Sequence, residues 1–305
     1  MKIGRNIKIE KIKKLIYLLY LILIIFAVAP SIIWLLFFLR KDTHPESNQM
    51  IILVFLLGIA IVPLGFLAEC IPIGIDKLGN ISCFLPSFLG EIFSFLPPIL
   101  GSFLAALLGV ALIEEVIKYL VVRWKVLKNP EFDEPLDVML YMIIAALGFA
   151  AFENFLYLLP SPETPLTHEF ITVNFLPLMG LVAFISFFRF VGAVFLHALC
   201  SGTIGYFLAR SFFEPKNKLK LLFAGFSIAI LLHSVFNLSI MKIEESLILA
   251  GGQVYLKNPI TFYLSLGIVV FTLIGLAVFV TLGFRNLKKI ISVCKINPRN
   301  VRHET

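Results

Sequence analysis

Apolar residues run almost without interruption through most of the chain, in blocks separated by short polar pieces. Blocks of span length occur at about 15–39, 50–69, 97–122, 137–159, 190–213, 221–241 and 260–284. Each is near or above the roughly 18–20 apolar residues that carry a helix across a bilayer. Two further stretches are ambiguous. Residues 81–96 are apolar but short and carry Pro86, which reads as an interfacial or re-entrant piece. Residues 171–188 read either as a full span or as a short helix running into Arg189. The pattern therefore predicts an all-α polytopic transmembrane helix bundle of seven to nine membrane helices, a single membrane domain over 1–305. The runs are continuously apolar rather than alternating, which excludes a β-barrel.

Composition sharpens this reading. Of 305 residues, 59% are hydrophobic and 15% charged, and mean hydropathy is +0.97. Soluble domains sit near 45–50% apolar and about 25% charged, so a soluble enzyme, a disordered chain and a coiled coil are excluded. The net charge of +7 does not call for a nucleic-acid partner. Its basic residues gather at Lys2–Lys14, Arg210–Lys220 and Arg285–Arg302, where they set topology and meet anionic lipid at the cell membrane. Sidedness stays open, because Arg40, Lys41, Arg123, Lys125 and Lys128 flank loops that alternate against the Lys2–Lys14 cluster. The four cysteines show no CxxC and no framework spacing, so neither a zinc ribbon nor a disulfide follows from them.

With so little polar chain outside the spans, chemistry must reside inside them. An ionisable residue in a membrane helix is costly and marks function by default. Glu114, Glu115 and Lys118 lie in ALIEEVIKYL, Glu153 and Asn154 in LGFAAFENFLYL, Arg189 and His197 in RFVGAVFLHALCSG, and His233 and Asn237 in LLHSVFNLS. Glu114 and Lys118 are i,i+4 and share a face, as do His233 and Asn237. Four helices thus each present a polar stripe, and three acids and two imidazoles can converge. Such a set binds a divalent metal or activates water directly, with a carboxylate as base. Asn237 can donate to a developing oxyanion. Glu115 points about 100° from Glu114. Lacking the i,i+4 cation, it is expected to be the base, with Glu114 as the orienting partner of Lys118. Structural roles compete: a Glu114–Lys118 ion pair, a Lys118 that snorkels, and Asn154 or Asn237 as interhelical glue. HExxH, GxSG and GxGD are absent. Cys200 and Ser201 follow His197 within one turn but sit in a helix interior, a poor place for a nucleophile. His44, His168 and His303 fall in loops or tails.

At these residues the sequence resembles the PrsW family of intramembrane proteases, within the group that includes the CAAX prenyl endopeptidases and bacteriocin-processing proteins. The resemblance runs from about Pro30 to Asn237, leaving the span 260–284 beyond it. It is carried by APSIIWLLFFLRKDTHPES, by EEVIK, by EFDEPLDVMLYMIIAALGFAAFENFLYL, by the stretch from Arg189 to Tyr206, and by HSVFN. It implies hydrolysis of a peptide bond in a membrane-anchored protein or peptide, by water activated by glutamate or metal. By position, Glu114 and Glu115 take base or ligand roles. Glu153 stands where the prenyl endopeptidases place a His, and His197 and His233 complete the site. Asn237 occupies a place often held by Asp. Glu153, His197 and His233 are the implied ligands if zinc is bound. A transporter or scaffold using the same cluster is the alternative; a transporter should show paired repeats, and none is visible. Neither the substrate nor the oligomeric state follows from the sequence.

Overall fold

The computed structural model describes residues 2–42, 46–70, 72–75, 81–129, 132, 134–159, 168–250 and 253–289. His44, Glu131, Asp133, Cys294, His303 and residues 160–167 lie outside them, as does the side chain of His168. In chain order the helices are α1 (Lys2–Leu39), α2 (Asn48–Glu69), α3 (Phe84–Ile92), α4 (Pro98–Ala106), α5 (Leu112–Lys125), α6 (Pro135–Leu158), α7 (His168–Arg189), α8 (Phe195–Phe213), α9 (Lys218–Glu245) and α10 (Pro259–Lys288). Two small antiparallel hairpins pair β1 (Pro72–Ile75) with β2 (Ile81–Cys83), and β3 (Leu247–Ala250) with β4 (Gln253–Leu256).

Among the described residues, seven stretches are long and apolar enough to cross a membrane, so the bundle is polytopic and all-α. Helices α4 and α5 form one such stretch, and α7 and α8 another of 38 residues from Leu176 to Phe213. The region 171–188 is therefore the first half of a longer helix, not a separate crossing. At 1.5 Å per residue that stretch is about 57 Å long, well beyond a ~30 Å hydrocarbon core. Local chemistry fixes the ends. Ser47 caps α2 by accepting from Met50 N at 3.3 Å, and Asn258 caps α10 by accepting from Thr261 N at 3.2 Å. Pro135 opens α6, where Asp137 accepts from Glu134 N at 2.8 Å. Tyr141 OH donates to Glu46 Oε2 at 2.7 Å, tying the first loop to this end of α6.

Helix α6 is apolar on every face, the mark of a helix surrounded by others. Most of it is buried, against α1, α2 and α8. Small residues set that packing, since apolar side chains gain little from leaving lipid and close backbone approach supplies the attraction instead. A Cβ at Gly58 would lie 2.2 Å from Ala145 O, and one at Gly148 would lie 2.0 Å from Phe55 O. On the other face of α6, a Cβ at Gly205 would meet Met139 Cα at 2.7 Å. Alternation of the stretches gathers 40–42, 46–47, 126–129 and 214–217 on one rim of the bundle and 70, 81–97, 246–250 and 253–258 on the other. Cys70, on the second rim, is disulfide-bonded, where the cysteine spacing alone gave no reason to expect a bridge. Cys200 is free and buried.

The α2–α6 contact gives a direct test. Gly148→Leu should lower stability by roughly 1–3 kcal/mol through overpacking. Gly267→Leu, where an added Cβ meets nothing within 4 Å, should leave it unchanged. Thermal unfolding of the purified variants in detergent measures both.

Candidate active site

The polar residues of α5, α6, α8 and α9 meet at one buried place. Two of these helices are re-aimed just before their polar residues. A π-helical turn, Leu107–Ala111, precedes α5, and its widened bond runs from Leu112 N to Leu107 O. A second, Phe190–Val194, separates Arg189 from α8, and Trp34 Nε1 donates to its Phe190 carbonyl at 2.9 Å. Such turns absorb one extra residue and recur at functional sites. Eight residues of regular helix would leave Arg189 and His197 about 80° apart, and the extra residue reduces this to about 20°. Both side chains accordingly reach the same atom: Glu153 Oε2 lies 2.9 Å from Arg189 and 2.8 Å from His197 Nε2.

Lys118 is the centre of the arrangement. It does not snorkel; its side chain is fully buried. Its ammonium donates to Glu114 Oε2 at 3.1 Å, Glu115 Oε1 at 2.9 Å and His197 Nδ1 at 2.8 Å. It also lies 4.3 Å from the centre of the Phe149 ring. An ammonium only donates, so His197 accepts at Nδ1 and carries its ring proton on Nε2, toward Glu153. Both nitrogens of His197 are therefore engaged. His233 Nδ1 faces Glu115 Oε1 at 3.1 Å. An ionised carboxylate only accepts, so His233 holds a proton on Nδ1 and turns Nε2 toward Glu114 Oε2, 3.8 Å away.

These bonds remove the distinction that helical spacing drew between the adjacent acids. Helical spacing leaves Glu115 without a cation, yet its i,i+3 pairing with Lys118 is as short as that of Glu114. It also accepts from Ser201 Oγ at 2.9 Å and is completely buried. Glu114 keeps slight exposure, and its Oε2 stands 3.7 Å from His197 Nδ1 as well as near His233 Nε2. Glu114 is thus the freer carboxylate, between two imidazoles. Ser201 serves as a hydrogen-bond donor, in keeping with the weak case for a nucleophile.

The remaining polar residues form a supporting layer. Asn154 Nδ2 donates to Ala27 O at 3.2 Å, and its Oδ1 accepts from Arg189 Nε, which is the interhelical glue expected of a membrane amide. The Arg189 guanidinium also stacks 3.9 Å over the Tyr157 ring. Asn237, one turn beyond His233, is half-buried and has no hydrogen-bond partner among the described residues. One acid escaped the sequence reading. Glu69 ends α2, where a carboxylate at a span boundary looks like ordinary rim polarity. It nevertheless stands within electrostatic reach of Glu114, Lys118 and Glu153.

Glu114, Glu115, His197 and His233 are all buried and offer ligand atoms within 4.8 Å of one another. A tetrahedral zinc with bonds near 2.0–2.1 Å needs donors about 3.3–3.4 Å apart. From Glu114 Oε2, His197 Nδ1 lies at 3.7 Å and His233 Nε2 at 3.8 Å, within a few tenths of this, so donor type and spacing fit Glu114, His197 and His233. Glu153 stands behind His197, where it orients the ring.

Removing the shared cation should be severe. Lys118→Met strands Glu114 and Glu115, a loss of about 3–5 kcal/mol for breaking a buried charge cluster. The outcome to look for in detergent is a large drop in melting temperature or failure to recover folded protein.

Comparison with known proteins agrees with this geometry. Residues 46–284 match the model of the PrsW family intramembrane metalloprotease. A protein named Protease PrsW from Geobacillus kaustophilus is 29% identical over 72% of this chain and 79% of its own length. Another of that name, from Bacillus subtilis, is 26% identical over 69% of this chain and 78% of its own. A third, from Clostridioides difficile, is 31% identical over 43% of this chain and 49% of its own. No solved structure matches. The matched region takes in α10, which the sequence motifs had left outside. A bundle of seven apolar helices around a buried Glu/His cluster, matched over most of its length, belongs to the PrsW family of intramembrane proteases.

Proposed function

We propose that this chain cleaves a peptide bond of a membrane-anchored protein or peptide at the cell membrane, with Glu114 as general base. The observation that carries this is the 3.8 Å gap between Glu114 Oε2 and His233 Nε2. It is too long for a direct hydrogen bond and of a length that one water bridges. Water held there loses its proton to Glu114 as it attacks the scissile carbonyl, and Glu114 returns that proton to the leaving amine. His233 Nε2 orients the water, fixed by the bond from its Nδ1 to Glu115. Lys118 keeps both carboxylates in place. Asn237, on the same face as His233 and unpartnered among the described residues, donates to the oxyanion in this scheme. Glu153 and Arg189 hold His197 in its tautomer. A divalent metal such as zinc, held by Glu114, His197 and His233 with Glu115 beside them, would supply Lewis-acid polarisation of the carbonyl and a more acidic water.

Two observations support an opening of this site away from the cytoplasm. Disulfides persist in oxidising compartments, so Cys70 and its rim face out of the cytoplasm. The opposite rim collects Arg123, Lys125, Lys216, Lys218, Arg285 and Lys288, as a cytoplasmic face does. The Lys2–Lys14 cluster then begins on the outer side, at the far end of a helix that runs from Lys2 to Leu39. Glu153 lies five residues from the outer end of α6, about 8 Å deep, and Glu69 lies at the outer end of α2.

Glu114→Gln should lower kcat at least ~1,000-fold on a membrane-anchored peptide in proteoliposomes, with a melting temperature close to wild type. Glu115→Gln should lose activity and stability together, because it removes a charge that balances Lys118 and one of the two oxygens that accept from Lys118, His233 and Ser201. Equal activity loss with unchanged melting in both variants would contradict this division. Orientation is read separately, in a background with Cys294→Ser. In intact cells a membrane-impermeant maleimide should label Ser94→Cys and spare Lys216→Cys.

A further inference from the structure

The site contains one acid that no cation of the described residues neutralises. Lys118 is shared between Glu114 and Glu115, and Arg189 is committed to Glu153. Glu69 has neither an ion pair nor a hydrogen bond among the described residues. Packing places it at the mouth. A Cβ on Gly65, one turn earlier, would lie 2.5 Å from Ile117 Cδ1 and 3.9 Å from Phe149 Cε2. Helix α5 runs antiparallel to α2, so Glu69 stands level with Ile113, beside Glu114. Helix α6 runs parallel to α2, so the next turn after Phe149 brings Glu153. Helical side chains lean toward the N-terminus of their own helix, and from the end of α2 that direction is inward, toward the other acids. Their charges reach it, as does that of Lys118.

A half-buried carboxylate facing two others, both of whose cations are spoken for, is unfavourable until a positive charge arrives from outside. We infer that Glu69 is a specificity-determining residue that pairs with a lysine or arginine side chain of the substrate next to the scissile bond. This rests on the protease reading above. The pair forms with bound substrate whether or not the bond is breaking, so its effect falls on KM more than on kcat.

The test uses full-length protein in proteoliposomes and three peptides with one membrane anchor, differing only in Lys, Ala or Glu beside the bond cut, as located by mass spectrometry. Wild type should prefer Lys to Glu by about tenfold or more in kcat/KM, carried by KM. Glu69→Gln should bring the Lys-to-Glu ratio toward one, and Glu69→Lys should invert it. The ratio is read within each variant, so a change in overall rate does not disturb it. A wild type that cleaves all three equally overturns the inference even if neither variant folds, and so does a Glu69→Gln enzyme that keeps the wild-type ratio. A wild type that cleaves none of these peptides, nor any other membrane-anchored peptide, overturns the protease reading itself.

Discussion

The polar centre of this bundle depends on one buried ammonium. Lys118 reaches Glu114, Glu115 and His197 at 2.8–3.1 Å, in a setting where water cannot screen or replace those bonds. Placing a charge there is expensive, and only a full set of acceptors offsets the cost. Each acceptor is in turn constrained by the next: Glu115 by His233 and Ser201, and His197 by Glu153. A chain of this kind leaves few free atoms. Those it does leave, on Glu114 and His233 Nε2, are where chemistry can occur.

The apolar scaffold exists to aim these groups. Helix α6 carries no polar face through most of its length, and its glycine contacts bring α2 and α8 close enough for Glu153 and His197 to meet. The two π-helical turns do what straight helices could not. They shift the rotational phase just ahead of the Glu114 and His197 segments, so residues of different helices converge without bending the bundle. The apolar stretches on either side tolerate this because neighbouring groups, such as the Trp34 indole on the Phe190 carbonyl, satisfy the backbone the wide turn releases.

The same donors suit either an ammonium-braced glutamate or a metal. Lys118 already uses three of the four residues whose atoms fit an ion, and His197 Nδ1 cannot serve both cations at once. Water activation by Glu114 needs only the groups as they stand. A metal would draw on the same imidazoles, with Glu153 again steadying His197 from behind.

Sequence by itself determined the bundle, because a run of some twenty apolar residues has few stable fates other than a membrane helix. It also named the polar residues of α5, α6, α8 and α9, since each is conspicuous against an apolar background, and their motifs carried the family. It did not determine which acid was free. Helical spacing assigns Lys118 to Glu114 at i,i+4, but a long flexible stem reaches i,i+3 equally well, and only the neighbouring helices decided that it holds both. Nor could spacing reveal the π turns, whose extra residue leaves no mark in hydrophobic periodicity. The Cys70 bridge depended on its partner in the folded chain, and the placing of Glu69 beside the site on the antiparallel approach of α2 to α5. These are contacts between distant segments. A one-dimensional pattern records the price of a buried charge, but only the folded bundle supplies the partner that meets it.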